Sequence, residues 1–195
     1  MVTTPESAAS VRAALSGAFA RLASATPSDD LLGYMMAQTA LETGRWQSLK
    51  NFNLGNITAA EVSDATAWRP PWFAPPFATE RDAELHEKML RGAAPRAFMS
   101  YPNLESGAFD YVRRLHTQFP EIVTAMETGD ARKVATAINH NYCRGCFEVE
   151  HTRSLRSLAE EFGARGRAPI RSGHFGFWML GIGGSYLLAR WGLKK

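Results

Sequence analysis

Glu42 is the residue whose type and position in this sequence best suit catalysis. It lies at the end of a run of helix-forming residues, just before Thr43 and Gly44. The partial negative charge at a helix C-terminus disfavours a carboxylate and therefore raises the pKa of a carboxyl group there. General-acid cleavage of a glycosidic bond requires a carboxyl that stays protonated near neutral pH. The sequence therefore indicates a candidate general acid at position 42.

The surroundings of Glu42 favour a binding cleft over an ordinary solvated helix surface, which is the alternative interpretation. Glu42 shares one helical stripe with three earlier residues: Leu31, Met35 and Gln38. Within fifteen residues the chain continues with Trp46, Phe52 and the Asn/Gly-rich segment NFNLGNI at 51–57. Such a loop can present backbone and side-chain amides to a polyhydroxylated ligand. A carboxyl beside this loop is therefore expected to face a sugar.

Four short motifs, in the same order along the chain, resemble those of the glucosaminidase-type (flagellar-rod hydrolase-like) peptidoglycan hydrolases, a family with a lysozyme-like fold. The motifs cover roughly residues 31–162 and are ALETGRW with NFNLGNI (40–57), WFAPP (72–76), RAFMSYPNLESGAFDYVRRL (96–115) and AINHNYCRGCFEVEHTRSLRSL (137–158). The resemblance implies a mainly α, lysozyme-like helical domain that cleaves the glycan backbone of bacterial cell walls. Peptidoglycan is then the expected partner.

The same resemblance implies roles for particular residues. Glu42 would protonate the leaving glycosidic oxygen, and Tyr142 matches a tyrosine that lines the family's cleft near the acid. Sugar contacts are expected from two amides and two aromatic rings: Asn53, Asn56, Trp72 and Tyr101. For each aromatic residue, packing in the core is the alternative role.

A second carboxylate would distinguish two chemistries. Family members often carry a second acid after the Asn/Gly loop to activate water, and Glu61 is the preferred candidate here, with Asp64 nearby. Without a second acid, a lytic transglycosylase route is expected, in which Glu42 acts first as acid and then as base. The 6-hydroxyl of the sugar then closes an anhydro ring. The sequence leaves both routes open.

Periodicity and capping residues predict an almost wholly helical domain over residues 1–163. An irregular or β lobe is expected at about 54–78, and a helical insert at 79–92. A capping box of Thr3 and Glu6 predicts the start of the first helix. Four further starts are predicted by polar caps at Ser28, Thr79, Asn103 and Asp130, and one by the proline at position 120.

The segment HNYCRGCFEVEH contains the two cysteines of the chain. Its spacing H-x2-C-x2-C-x4-H offers four zinc-type ligands, namely His140, Cys143, Cys146 and His151. Only one CxxC half is present, so a local disulfide or two free thiols is the favoured interpretation, with a redox role as a further alternative. No cofactor is expected, because no nucleotide-binding or HExxH motif appears.

The basic charge of the protein is concentrated in its C-terminal part. Residues 161–195 hold 6 of the 22 Lys/Arg residues but only 1 of the 19 Asp/Glu residues. The rest of the chain is therefore slightly acidic, and no binding of nucleic acid is expected.

The C-terminal part also predicts a membrane contact. A Gly/Arg/Pro linker is expected at 164–172 and a transmembrane helix at 173–193, since residues 172–189 carry no formal charge. The alternative is a last buried helix, although the glycines of the segment, among them Gly181, Gly183 and Gly184, disfavour a soluble helix.

The start of the chain does not resemble a secretory signal peptide. A lytic domain with a hydrophobic C-terminal helix is similar to enzymes of tailless phages that carry an internal membrane. We therefore expect a virion membrane protein that opens the cell wall during genome delivery. A bacterial envelope enzyme, a phage lysis enzyme and an inactive glycan-binding virion module are the alternatives.

Overall fold

The computed structural model describes residues 3–59, 67–69, 75–92, 97–142 and 149–166. Within these ranges the chain is mainly helical, as predicted. Its α-helices are α1 (Ala8–Ala23), α2 (Asp29–Thr43), α3 (Glu80–Leu90), α4 (Leu104–Gln118), α5 (Pro120–Glu127), α6 (Ala131–Ala137) and α7 (Val149–Glu161). A π-helical turn, Ile138–Tyr142, follows α6 directly.

Most helix starts lie where polar caps predicted them. The side chains of Ser28, Thr79, Asn103 and Asp130 each accept a backbone N–H from the first turn of the helix that follows. These bonds satisfy donors that have no partner within the helix. The proline at position 120 begins α5, where its missing N–H costs nothing.

The first helix begins later than the predicted capping box of Thr3 and Glu6. Ser7 caps α1 instead, with its Oγ accepting from the backbone N of Ser10 at 3.0 Å. Thr3 forms an antiparallel bridge with Lys50, and the backbone N of Thr4 donates to the carbonyl of Leu49 at 3.1 Å. The prediction was wrong because these long-range backbone bonds hold the segment extended.

The core is built around α2, which is buried on nearly all sides. Helix α1 packs against α4 and α2, and α7 packs along α2 from another direction. A helix enclosed in this way is apolar around its circumference and shows little amphipathic pattern. The largest fully buried side chains are Tyr34, Tyr111, Leu15, Leu31, Met35, Met36, Leu49, Leu54, Leu115, Ile122, Met126 and Ile138.

The predicted lobe at 54–78 contributes to a small sheet. Strand β1 (Ala67–Trp68) pairs antiparallel with β2 (Phe98–Met99), with Ala67 opposite Met99. Thr58 also bridges to Phe98, so the chain after the Asn/Gly loop lies along β2. The predicted insert at 79–92 is helix α3, which begins with a capping box between Thr79 and Asp82.

The helical domain extends past residue 163, where the linker was expected to begin. Ala164 is buried against Gly33 of α2, so close that a Cβ on Gly33 would lie 2.8 Å from the Cβ of Ala164. The backbone N of Arg165 donates to Asp30 Oδ1 at 2.7 Å, and Gly166 N does so at 3.2 Å. Residues 164–166 are therefore part of the folded domain.

None of the helices in the described ranges is long and apolar enough to cross a membrane. The predicted transmembrane segment 173–193 lies outside the described residues.

Candidate active site

Glu42 lies in the last turn of α2, and the chain after it turns back sharply. Gly44, Arg45 and Trp46 all have positive φ, of 58°, 55° and 63°. The backbone N of Trp46 donates to Thr43 Oγ1 at 3.1 Å, and its indole Nε1 donates to Thr39 Oγ1 at 3.2 Å. Because Trp46 is buried and hydrogen-bonded in this way, the end of α2 that carries Glu42 is firmly positioned.

The Asn/Gly loop meets Glu42 through Asn56. Asn56 Nδ2 donates to the Glu42 carboxylate Oε2 at 3.1 Å and to the Glu42 backbone carbonyl at 2.8 Å. Asn56 has a φ of 47°, in the left-handed region that asparagine tolerates better than most residues. The sequence predicted Asn56 to be a sugar contact, whereas the structure shows it holding the candidate acid.

Burial raises the pKa of the half-buried Glu42 carboxyl from an ordinary 4.5 to about 7. The hydrogen bond from Asn56 stabilises the ionised form and lowers the pKa, but its effect is smaller than that of burial. The sequence attributed a raised pKa to the helix terminus, whereas loss of hydration is the main cause in the structure. Both the protonated and the ionised form of Glu42 are therefore accessible near neutral pH.

Two buried tyrosines form an aromatic wall close to Glu42. Tyr142, in the π-helical turn, donates from its hydroxyl to the carbonyl of Gly55 at 2.5 Å. Tyr111 of α4 donates to Gln38 Oε1 at 2.8 Å, and Gln38 lies one turn before Glu42 on α2. Burial and the charge of Glu42 both raise the pKa of each tyrosine, which places both within electrostatic range of the acid. Tyr142 bonds to Gly55, and the next residue, Asn56, bonds to Glu42, so the loop brings Tyr142 to the same end of α2 as Glu42.

The loop can reach this wall because two glycines allow close contact. A Cβ on Gly55 would lie 2.6 Å from the Tyr142 hydroxyl and 2.9 Å from Tyr111 Cδ2. A Cβ on Gly107 of α4 would lie 1.9 Å from the carbonyl oxygen of Phe52. All three distances are shorter than a Cβ atom permits, so larger residues at either position would push the loop away.

Asn53 and Tyr101, two of the predicted sugar contacts, make internal hydrogen bonds. Asn53 is 3 % exposed, and its Nδ2 donates to the carbonyls of Ile57 at 2.9 Å and Met99 at 3.1 Å, while its Oδ1 accepts from Ile57 N. This amide joins the loop to β2, so burial and hydrogen bonding leave it unsuited to contact a sugar. The half-buried Tyr101 donates from its hydroxyl to Asp110 Oδ2 at 2.6 Å.

Several predicted residues lie outside the described part of the chain: Glu61, Trp72, Cys143 and Cys146. His140 is exposed in the π-helical turn, and His151 belongs to α7. Among the described residues, no group of three or more His, Cys, Asp or Glu side chains is arranged to hold a metal ion.

A separate groove of about 740 Å³ lies between α1 and the start of α4. Small residues of α1, including Ala13, Ala14 and Gly17, form one side, and Phe52 and Leu104 form part of the other. Glu42 does not line this groove, so the groove and the candidate acid are different features of the surface.

Sequence reasoning missed Tyr111 and assigned Gln38 no role at the site. Gln38 shares a helical stripe with Glu42, which could have indicated its proximity. Tyr111 lies within one of the quoted motifs, at 96–115, but no feature of the sequence singles it out. Their contact joins residues 73 positions apart and depends on how α4 packs against α2.

Comparisons with known proteins found no relative of this chain. No family model, curated protein or solved structure matches the chain.

Proposed function

We propose that this protein is a peptidoglycan hydrolase that cleaves the glycan backbone of the bacterial cell wall, with Glu42 as general acid. The observation that carries the proposal is the setting of Glu42: a half-buried carboxyl with a pKa of about 7, held by Asn56 beside Tyr142. A general acid works best when its pKa is near the working pH, because it is then both available and able to transfer its proton. The four motifs that resemble glucosaminidase-type hydrolases give the substrate class and the expected lysozyme-like fold.

A lytic transglycosylase is the second candidate, and the same pKa favours it. In that reaction one carboxyl donates a proton to the leaving oxygen and then accepts a proton from the sugar's 6-hydroxyl. A group with a pKa of about 7 has both forms populated at neutral pH. An endo-β-N-acetylglucosaminidase would instead require a second carboxylate, for which Glu61 is the proposed residue.

The proposed location follows from the sequence of the C-terminal part. Residues 173–193 would anchor the protein in a lipid membrane, and the enzyme would act from a phage virion membrane during genome delivery. A bacterial cell envelope is the alternative location. An inactive module that binds glycan in a virion is the alternative for the domain itself.

The products distinguish these candidates. Full-length protein in non-ionic detergent is incubated with purified peptidoglycan, and released fragments are analysed by mass spectrometry. Reducing GlcNAc ends support a glucosaminidase, and anhydro-muramyl ends support a transglycosylase. If the folded protein binds peptidoglycan but releases no fragments, the glycan-binding module is the correct function.

Replacing the acid provides the matched test. Glu42→Gln should reduce fragment release at least about a thousandfold, because the amide cannot donate the proton, while peptidoglycan binding and the circular dichroism spectrum are retained. Glu127→Gln, an exposed position on α5, is the control and should retain activity. Activity that persists in Glu42→Gln would exclude Glu42 as the acid.

The raised pKa also predicts a stability effect that does not depend on substrate. The folded state holds the Glu42 proton more tightly than the unfolded state, so wild-type stability falls as the pH rises from about 4.5 through 7. Glu42→Gln removes this loss, and its free energy of unfolding should exceed that of the wild type by about 1–3 kcal/mol at pH 8 but not at pH 4. Urea unfolding at both pH values measures the difference. An equal difference at the two pH values would show that the pKa is not raised.

A further inference from the structure

Gln38 of α2 carries a buried hydrogen-bond donor without a partner. Its side chain is 0 % exposed, and its Oε1 accepts the Tyr111 hydroxyl at 2.8 Å. Among the described residues, none accepts a hydrogen bond from its amide Nε2. A buried N–H without an acceptor is costly, and nearly all buried polar groups in folded proteins are paired. The unpaired Nε2 therefore indicates an acceptor that forms in another state of the site.

A closed ring of contacts places this amide beside Glu42. Gln38 and Glu42 are four residues apart on α2, so they lie one above the other on the same face of the helix. Asn56 donates to Glu42 Oε2 at 3.1 Å. Gly55, the residue before Asn56, lies so close to Tyr111 that a Cβ on it would be 2.9 Å from Tyr111 Cδ2. Tyr111 in turn donates to Gln38, so the same side chains hold the amide and the carboxyl, one helical turn apart.

The carboxyl of Glu42 can accept a further donor when it is ionised. Asn56 donates to Oε2, and no other side chain in the described part of the chain donates to either carboxyl oxygen. An ionised carboxylate has about four acceptor positions, and a protonated carboxyl has fewer because one oxygen carries the proton. Loss of the Glu42 proton therefore creates an acceptor beside the unpaired donor of Gln38.

We infer that Gln38 is a second positioning residue for the proposed acid, and that its Nε2 donates to the carboxylate that Glu42 becomes once its proton has moved to the glycosidic oxygen. The inference rests on the proposed function, because that proton transfer is part of the reaction. The bond from the sugar carbon to this oxygen breaks, and its electron pair stays on the oxygen that receives the proton. The amide keeps both of its protons, and since Gln38 is fully buried it stabilises the ionised acid without touching the sugar.

The groups that face Glu42 from the neighbouring elements are uncharged near neutral pH. Burial raises the pKa of Tyr111 on α4 and of Tyr142 in the π-helical turn well above the ordinary 10. On α7, which packs along α2, Glu161 is paired with Arg45 at the exposed surface. Within the described residues, no charged side chain contributes to the pKa of Glu42. A change in this pKa caused by a substitution of the amide therefore reports the amide itself.

The test measures the pKa of Glu42 directly. The side-chain carboxyls of full-length protein labelled with carbon-13 glutamate are titrated by NMR, and Glu42→Gln identifies the Glu42 signal. Gln38→Met removes the amide with little change in volume. It should raise the pKa of Glu42 by at least about one pH unit, because a hydrogen bond to the charged form is lost. The alkaline limb of the pH–rate profile for fragment release should move upward by the same amount.

Tyr111→Phe separates this role from the bond that Gln38 makes to Tyr111. The single variant removes the hydroxyl and keeps the amide, so the pKa of Glu42 should stay close to the wild-type value. The double variant Tyr111→Phe/Gln38→Met should show the full rise. It leaves no buried hydroxyl unpaired, so it should fold even if Gln38→Met alone does not. Gln47→Met, at an exposed position shortly after α2, is the matched control and should leave the pKa of Glu42 unchanged.

Two results would overturn the inference and leave the glycosidase proposal intact. One is an unchanged pKa of Glu42 in Tyr111→Phe/Gln38→Met, and the other is an equal rise in Tyr111→Phe alone. No cleavage by the folded wild-type protein would overturn the glycosidase proposal and with it the role of Gln38 in the reaction. The NMR titration does not depend on cleavage, so the two failures are distinguishable.

Discussion

At the scale of single residues, two opposing effects determine the pKa of Glu42. Burial raises its pKa, and the hydrogen bond from Asn56 lowers it. Asn56 also bonds to the Glu42 backbone carbonyl, so one amide fixes both the helix end and its carboxyl. Asn56 is therefore a positioning residue for the proposed acid, and the balance between the two effects sets the pKa of that acid.

The pH dependence of cleavage should report this balance. In the wild type, activity should fall as the pH rises through about 7, since the acid must be protonated. Asn56→Gly removes a bond that favours the carboxylate, so the pKa should rise and the alkaline limb should move to higher pH. Glycine adopts the positive φ of this position without strain. The pH–rate profile of fragment release measures the shift.

Asn51→Gly is the control for this experiment. Asn51 belongs to the same loop and has a nearly identical φ of 48°, against 47° for Asn56. The alkaline limb should not move in this variant. A shift toward lower pH in Asn56→Gly, or equal shifts in both variants, would contradict the proposed role of Asn56.

At the scale of elements, the site depends on contact between α4 and the loop that follows α2. The loop carries Asn56 to Glu42 and Gly55 to Tyr142. Gly107 is the point where the helix touches the backbone of this loop at Phe52. A backbone carbonyl cannot move aside like a flexible side chain, so this contact sets the spacing between the two elements.

Substitution of two helical glycines by alanine should have opposite effects. Gly107→Ala should destabilise the protein by about 2–3 kcal/mol and lower activity, because the new methyl group would meet the Phe52 carbonyl. Gly17→Ala on α1 has no heavy atom within 4 Å of the new Cβ and should stabilise the protein by about 0.5–1 kcal/mol. Chemical denaturation measures both. A destabilisation of less than 0.5 kcal/mol by Gly107→Ala would show that the loop can retreat at little cost.

At the scale of the whole molecule, the domain extends to residue 166 through contacts with the start of α2. Gly33 allows Ala164 to pack closely, and Asp30 accepts from the backbone of residues 165 and 166. These contacts place the start of the basic segment beside the N-terminal end of α2. The proposed membrane anchor, residues 173–193, begins seven residues after Gly166 in the sequence.

The proposed anchor can be tested by vesicle flotation. The full chain should float with phosphatidylcholine/phosphatidylglycerol vesicles and remain bound in 1 M NaCl, because burial of an apolar helix is insensitive to screening. A chain ending at residue 172 should not float. Leu180→Arg places a charge in the apolar run, at a cost of about 3 kcal/mol, and should weaken flotation. Release of the full chain by salt alone would show a surface electrostatic contact instead.

The sequence by itself determined most of the helix starts and the end of α2, which carries Glu42. These features depend on interactions within about four residues, such as the cap of Ser28 on Leu31 and the positive φ of Gly44 after α2. Local hydrogen bonds and periodicity of this kind can be predicted without knowing the fold. The exception is Thr3, where bonding to a distant segment outweighed a local capping pattern.

Only the tertiary structure decided what surrounds Glu42. Asn56, which donates to Glu42, lies 14 residues further along the chain. Tyr142 and Gly55 are 87 residues apart in the sequence, and Tyr111 and Gln38 are 73 residues apart. The same packing turned Asn53 inward, although the sequence placed it among the sugar contacts. Which amide faces the acid and which is buried depends on the close approach of α4 to the loop, and no local pattern encodes that distance. The pKa of the acid depends on the same packing, because burial is its largest cause.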